Sequence, residues 1–110
     1  MVVGALVMTL HLGEGASLKA KRKVVRSILD RVRARFNVSA AEVGSQDLWQ
    51  RLELGFAVCS NEAAHVDSQL ASLERFVEGQ SEALVTDVRV EVIHLEEMAW
   101  APAARKDWDN

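Results

Sequence analysis

Arg51-Leu52-Glu53-Leu54-Gly55-Phe56-Ala57-Val58-Cys59 alternates without a break, with Leu52, Leu54, Phe56 and Val58 on one face and Glu53, Gly55, Ala57 and Cys59 on the other. A period of two sustained over nine residues is the pattern of a half-buried strand, and this one reads as central to its sheet. Outward from it, Val2 to Leu12 has the branched, apolar content of a first strand, with Leu6, Met8 and Leu10 on one face and Val3, Ala5 and Val7 on the other. Gly13 to Ala16 make a turn. Ser17 is placed as the N-cap of a helix that carries Leu18, Val25, Ile28, Leu29, Val32 and Phe36 at helical spacing. Asn37 to Val43 reads as a short strand, joined to the central one by a polar connection through Gly44, Ser45, Gln46 and Asp47. After the central strand, Asn61 is expected to cap a second helix with the stripe Ala63, Val66, Leu70, Leu73 and Val77, stopped by Gly79. Leu84 to Glu96 closes the domain as a strand, in which Val88, Val90 and Val92 alternate with Asp87, Arg89 and Glu91.

The order βαββαβ is the split unit of a ferredoxin-like sandwich, an α+β fold with a four-stranded antiparallel sheet and two helices on one face. The chain of 110 residues fits one such domain, expected over residues 1–96, followed by a C-terminal tail, 97–110, in which Trp100, Pro102 and Trp108 follow neither period. The uncovered face of the sheet offers Val3, Ala5, Val7, Gly55, Ala57, Ile93 and Leu95, which is more apolar than solvent requires. Either a homodimer formed sheet to sheet or the tail folding back is expected to cover it.

Composition narrows the function classes. The chain is 49% hydrophobic and 26% charged, which excludes a disordered tail. No apolar run approaches the length of a spanning helix, and no Lys or Arg precedes the apolar stretch Val2 to Leu10 as in a signal peptide, so a cytoplasmic protein is expected. Cys59 is the only cysteine, which excludes an intrachain disulfide and a cysteine zinc cluster; inert packing is its expected role. His11, His65 and His94 fall on three different elements, so no metal site is expected, and neither a cofactor nor a catalytic constellation emerges. Asp47 reads as the residue that organises its turn.

The charge is unevenly spread. Residues 19 to 35 hold Lys19, Lys21, Arg22, Lys23, Arg26, Arg31, Arg33 and Arg35 against Asp30 alone, a net +7 on a chain whose total is −3, so the remainder carries −10. Lys19, Arg22, Lys23, Arg26 and Arg33 fall along one flank of the first helix's apolar stripe and can track a phosphate backbone. The alternative is internal pairing with Glu62, Asp67, Glu74 and Glu78 of the second helix. Eight cations exceed four carboxylates, which favours an external polyanion. Trp49, on a polar connection, is either a contact for a base or protein partner or a cap on the end of the core. Gly55-Phe56-Ala57-Val58 echoes the third-strand motif of sheet-stacking RNA readers, but Val58 replaces the second aromatic and Phe56 shares a face with the core leucines. Phe56 is therefore read as core. Any RNA is expected on the helix and loops.

Four separated stretches in register, Ser17-Leu18-Lys19-Ala20-Lys21-Arg22, Phe36-Asn37-Val38-Ser39-Ala40-Ala41-Glu42-Val43, Gln46-Asp47-Leu48-Trp49-Gln50-Arg51 and Val58-Cys59-Ser60-Asn61, resemble the bacterial YlxP-like family, a domain of unknown function. The resemblance spans about residues 2 to 95. It implies a ferredoxin-like fold and small cytosolic proteins whose genes often lie beside those for translation initiation and ribosome maturation factors. It implies no catalytic residues. Together these readings predict a noncatalytic accessory factor binding structured RNA or a ribosomal subunit through the first helix, with a protein-interaction or small-ligand regulatory domain using the open sheet face as the alternative.

Overall fold

The alternating stretch lies in the middle of a four-stranded sheet because its two faces need different environments. The structure, a computed structural model, describes residues 1–80 and 82–96. Its elements are β1 (Val2–His11), α1 (Leu18–Arg35), β2 (Ser39–Gly44), β3 (Arg51–Ser60), α2 (Ala63–Glu78) and β4 (Leu84–His94). The sheet order is β2-β3-β1-β4, with every neighbouring pair antiparallel, which is the ferredoxin-like α+β arrangement that the element order predicts.

Register brings the apolar faces together: Leu6 pairs with Phe56, Met8 with Leu54 and Leu10 with Leu52. All six are buried, covered by Val25, Ile28, Leu29 and Val32 of α1 and by Val66, Leu70, Leu73 and Val77 of α2. Each such side chain contributes about 1.5–3 kcal/mol on burial. Because the side-chain period is two, a slip of one residue would turn this whole set to the open face, so the core fixes the register.

Some local expectations are corrected. Capping of α2 passes from Asn61 to its neighbours: Glu62 occupies the N-cap without a side-chain bond, and its own N–H is satisfied by the Ser60 hydroxyl at 3.2 Å. β2 starts at Ser39 rather than Asn37, since Phe36 is held by its N–H to the Val32 carbonyl at 2.8 Å and by an edge contact with the Phe76 ring, centroid to centroid 5.6 Å. In β4 the alternation yields less burial than in β1 or β3. Val85, Val88 and Val92 are partly buried, while Val90, paired with Leu6, stays 52% exposed. β4 is an edge strand, and the helices pack chiefly over β1, β2 and β3. The tail with Trp100 and Trp108, and with it the expectation that it folds back, lies outside the described residues. No described helix is long and apolar enough to cross a membrane.

Gly4 is where α2 approaches the sheet most closely. A Cβ there would stand 2.6 Å from Val66 Cγ1 and 2.7 Å from Leu70 Cδ1, so α2 must shift to admit it. Gly4→Ala is expected to destabilise the fold by about 1–3 kcal/mol in chemical denaturation, whereas Gly13→Ala, where an added Cβ meets nothing within 4 Å, is expected to be near neutral.

Candidate functional site

α1 begins with positive charge where its own dipole disfavours it. Its first turn holds no acidic residue, and Ser17 caps it by accepting the Ala20 N–H at 3.1 Å. The N-terminal end of a helix behaves as about half a positive charge, so each cation placed there costs about 0.3–1 kcal/mol. Lys19, Lys21, Arg22 and Lys23 all crowd that end.

Lys21 differs from its neighbours in being 2% exposed. It stands four residues before Val25 and seven before Ile28, within the apolar stripe itself. Its ammonium donates to the carbonyls of Ser45 and of Leu48, the latter at 2.7 Å, and lies 3.3 Å from Glu42 Oε2. Two of its three donors go to the carbonyls, and the Glu42 oxygen, buried without a hydrogen bond, faces it as counter-charge. The β2–β3 connection is thereby clamped to α1. Ser45 takes the left-handed backbone region, φ 59°. Three bonds hold it there: its carbonyl accepts from Lys21 and from the Leu48 N–H at 3.0 Å, and its hydroxyl donates to Glu53 Oε2 at 2.7 Å. That hydroxyl bond, with Arg51, Arg89 and Lys21 nearby, holds the Glu53 carboxyl below the usual range. Ser45 and Lys21 thus organise the turn assigned above to Asp47, which is exposed and makes no hydrogen bond among the described residues.

The clamp leaves a groove between α1 and this connection, about 480 Å³, with Arg22, Arg26 and Arg33 on one wall and Glu42, Gln46 and Asp47 on the other. Arg33 is partly committed, donating to the Ala40 carbonyl and lying 3.8 Å from Asp30. Lys19 and Lys23 are exposed but do not line the groove. Further along α1, Arg31 bonds Gln80 at 2.6 Å and Glu82 at 2.8 Å, and the Arg35 guanidinium stands 5.1 Å over the Phe76 ring. Internal pairing with the acidic α2 is not what occurs: among the described residues no cation of α1 lies within 4.0 Å of Glu62, Asp67, Glu74 or Glu78. Lys19, Arg22, Lys23 and Arg26 make no ion pair there either.

Trp49 is 60% exposed beside the equally open Leu48, so it does not cap the core. With His11 and Arg51 it lines a shallow concavity of about 450 Å³, and Asp47 lines both this concavity and the arginine groove, so the two are neighbours on either side of one residue. His11 and His94 sit at opposite ends of β1, opposite Leu84 and Val2 respectively. Cys59 is exposed on the open face rather than packed. Phe56 is core.

Sequence reasoning missed Lys21 as a clamp, although its helical phase carried the signal. Lys21→Met is expected to cost about 2–4 kcal/mol, because it leaves two carbonyls without their donor and a buried carboxylate oxygen without its counter-charge. Hydrogen exchange should show residues 45–50 opening faster while β1 and β3 keep their protection.

Residues 3–90 match the family model described as "Protein of unknown function (DUF503)". The chain is also 38% identical over 78 residues to the "Uncharacterized protein YlxP" of Bacillus subtilis (strain 168), an alignment covering 71% of this chain and 85% of that protein. Three of the four stretches that carried the resemblance meet at the Lys21 clamp, through Lys21, Glu42 and Leu48. With its fold, most of its length and this shared architecture accounted for, the chain belongs to the DUF503 family.

Proposed function

We propose that this protein is a noncatalytic cytoplasmic accessory factor that binds structured RNA, such as that of a ribosomal subunit, through the groove on α1. The observation that carries the reading is the set of unpaired cations at the N-terminal half of α1. Lys19, Arg22, Lys23 and Arg26 are held together against helix dipole and mutual repulsion, with no intramolecular carboxylate within ion-pair distance among the described residues. A fold gains nothing from that arrangement, whereas a polyanion gains on each phosphate it neutralises. Arginine suits the role because its planar fork grips phosphate through two donors at once. Contacts of this kind are made to the backbone and give weak sequence preference with steep salt dependence. The gene neighbourhood implied by the family resemblance points to the RNA of the translation machinery as the partner.

A second reading concerns the open face, where a specific observation favours a second copy of the chain. Ala5, Val7, Ala41, Val43, Gly55 and Ala57 line an apolar hollow of about 290 Å³ between β1, β2 and β3. Val43, on its lining, and Ile93, opposite Val3 on the same face, stand at least half exposed. Pairing through this face is compatible with RNA binding, since the groove lies on the helical side.

Two experiments test these readings. Arg22→Glu with Arg26→Glu is expected to stay folded and to lose tenfold or more in RNA affinity at moderate salt. In sucrose gradients of fresh lysate, wild type should travel with a ribosomal subunit at low salt and the variant should remain at the top. If both remain at the top, the groove reading is wrong. Ala57→Arg, at an exposed position, should halve the mass measured by light scattering while leaving RNA affinity per chain unchanged.

A further inference from the structure

Trp49 is a large aromatic side chain held out in water by a buried clamp. Lys21 fixes the carbonyls on both sides of the turn, Ser45 and Leu48, so the residue next in sequence is presented on a rigid support despite its exposure. Tryptophan is ordinarily well buried, and its indole gains most from an apolar contact that leaves the N–H in water. Around it the concavity offers His11 and Arg51, and it shares Asp47 with the groove that carries Arg22 and Arg26. The cations of that groove stand on α1, and the carboxylates Glu42 and Asp47 stand on the opposite wall, Asp47 on the side toward the concavity. Arg22 and Arg26 attract phosphate, Asp47 repels it, and beyond Asp47 stands the flat indole.

We propose that the concavity at Trp49 takes an unpaired base of a single-stranded RNA segment whose phosphates lie along Arg22 and Arg26. This rests on the RNA-binding reading and narrows its substrate class. A strand crossing Asp47 must turn its backbone away and its base inward, because the carboxylate rejects phosphate oxygens but accepts from the exocyclic amino groups of bases. Base stacking on an aromatic side chain needs a base free of its own stack, which a continuous duplex does not provide. Arg22 and Arg26 stand four residues apart on one helix face, about 6 Å along its axis, on the order of the distance between successive phosphates. Arg51, engaged at 3.6 Å with Glu53, is available at the far rim of the same concavity.

The test is fluorescence anisotropy with a labelled twelve-nucleotide single strand and with the blunt duplex of the same sequence, for wild type, Trp49→Ala, Trp49→Phe, Trp49→Leu and Arg22→Glu/Arg26→Glu. Trp49→Ala is expected to lose about tenfold in single-strand affinity, to leave duplex affinity unchanged and to keep the slope of affinity against salt. Trp49→Phe should retain most of the affinity, while Trp49→Leu, of similar bulk without a π face, should behave like the alanine variant. Trp49 is exposed, so all three variants should melt as wild type does. Unchanged single-strand binding by Trp49→Ala, with the arginine variant inactive, overturns the stacking proposal and spares the groove. An equal loss on single strand and duplex also overturns it, by making Trp49 a general contact. If wild type binds neither RNA, the groove reading fails and the stacking site fails with it.

Discussion

A single ammonium group, that of Lys21, joins the helix layer to the loop end of the sheet. Burying a charge costs several kcal/mol unless partners replace its water, and here two carbonyls and the Glu42 carboxylate do so. Those partners come from different segments, the end of β2 and the turn that follows it, so the ammonium is satisfied only when both have reached their final places. The left-handed backbone at Ser45 persists under the same constraint, since relaxing it would withdraw a carbonyl from the lysine and a hydroxyl from Glu53. The groove wall and the presentation of Trp49 both follow from this one contact.

The clamp also divides the basic helix into parts with different duties. Lys21, Arg31, Arg33 and Arg35 bind the chain to itself, through carbonyls, Glu82, Ala40 and the Phe76 ring respectively. What is left is a smaller and more concentrated field than the sequence total of +7 suggests, and it sits at the N-terminal end beside the loop. A field there adds to the helix dipole instead of opposing it. The potential that repels the helix's own cations is the one that draws in an external anion.

How much of this was legible follows from where the physics is local. Strict alternation in Arg51 to Cys59, beside the apolar first strand Val2 to Leu10, has one solution, a sheet with one buried face, and the register of Leu6, Met8 and Leu10 on Phe56, Leu54 and Leu52 is its direct result. Val90 shares that alternation but not the burial, because coverage by a helix is a tertiary matter that a strand's own period cannot report. The choice of Ser60 over Asn61 near the start of α2, and of Ser45 over Asp47 in the turn, turns on which side chain the final backbone path puts within reach of a partner; both alternatives carry suitable side chains. Lys21 was readable in principle. Four residues before Val25 on a helix is a buried phase, and a lysine in a buried phase calls for acceptors from another segment. The flank that groups Arg22, Arg26 and Arg33 came from the same helical arithmetic, while the nearness of Trp49 to it depends on the path of the β2–β3 connection, which tertiary bonds to Lys21, Glu53 and Leu12 hold.

The two surfaces of the molecule answer to opposite forces and so need not compete. The open face is apolar around Val7, Ala57 and Val43; Glu53, Arg51, Asp87 and Arg89 form one mutually compensated cluster toward one end, and Glu91, opposite Ala5, makes no ion pair among the described residues. Removing such a face from water depends on apolar area and hardly on salt. Phosphate binding at the α1 groove, as proposed, would depend on uncompensated charge and weaken steeply as salt rises. A pair of chains joined through their open faces would carry two grooves directed outward. Two weak, salt-sensitive contacts on one RNA would then act together, at an effective concentration set by the dimer's geometry, and would bind far more tightly than either alone. A modest groove on a small domain would become a competent RNA grip by this route without any addition to its positive charge.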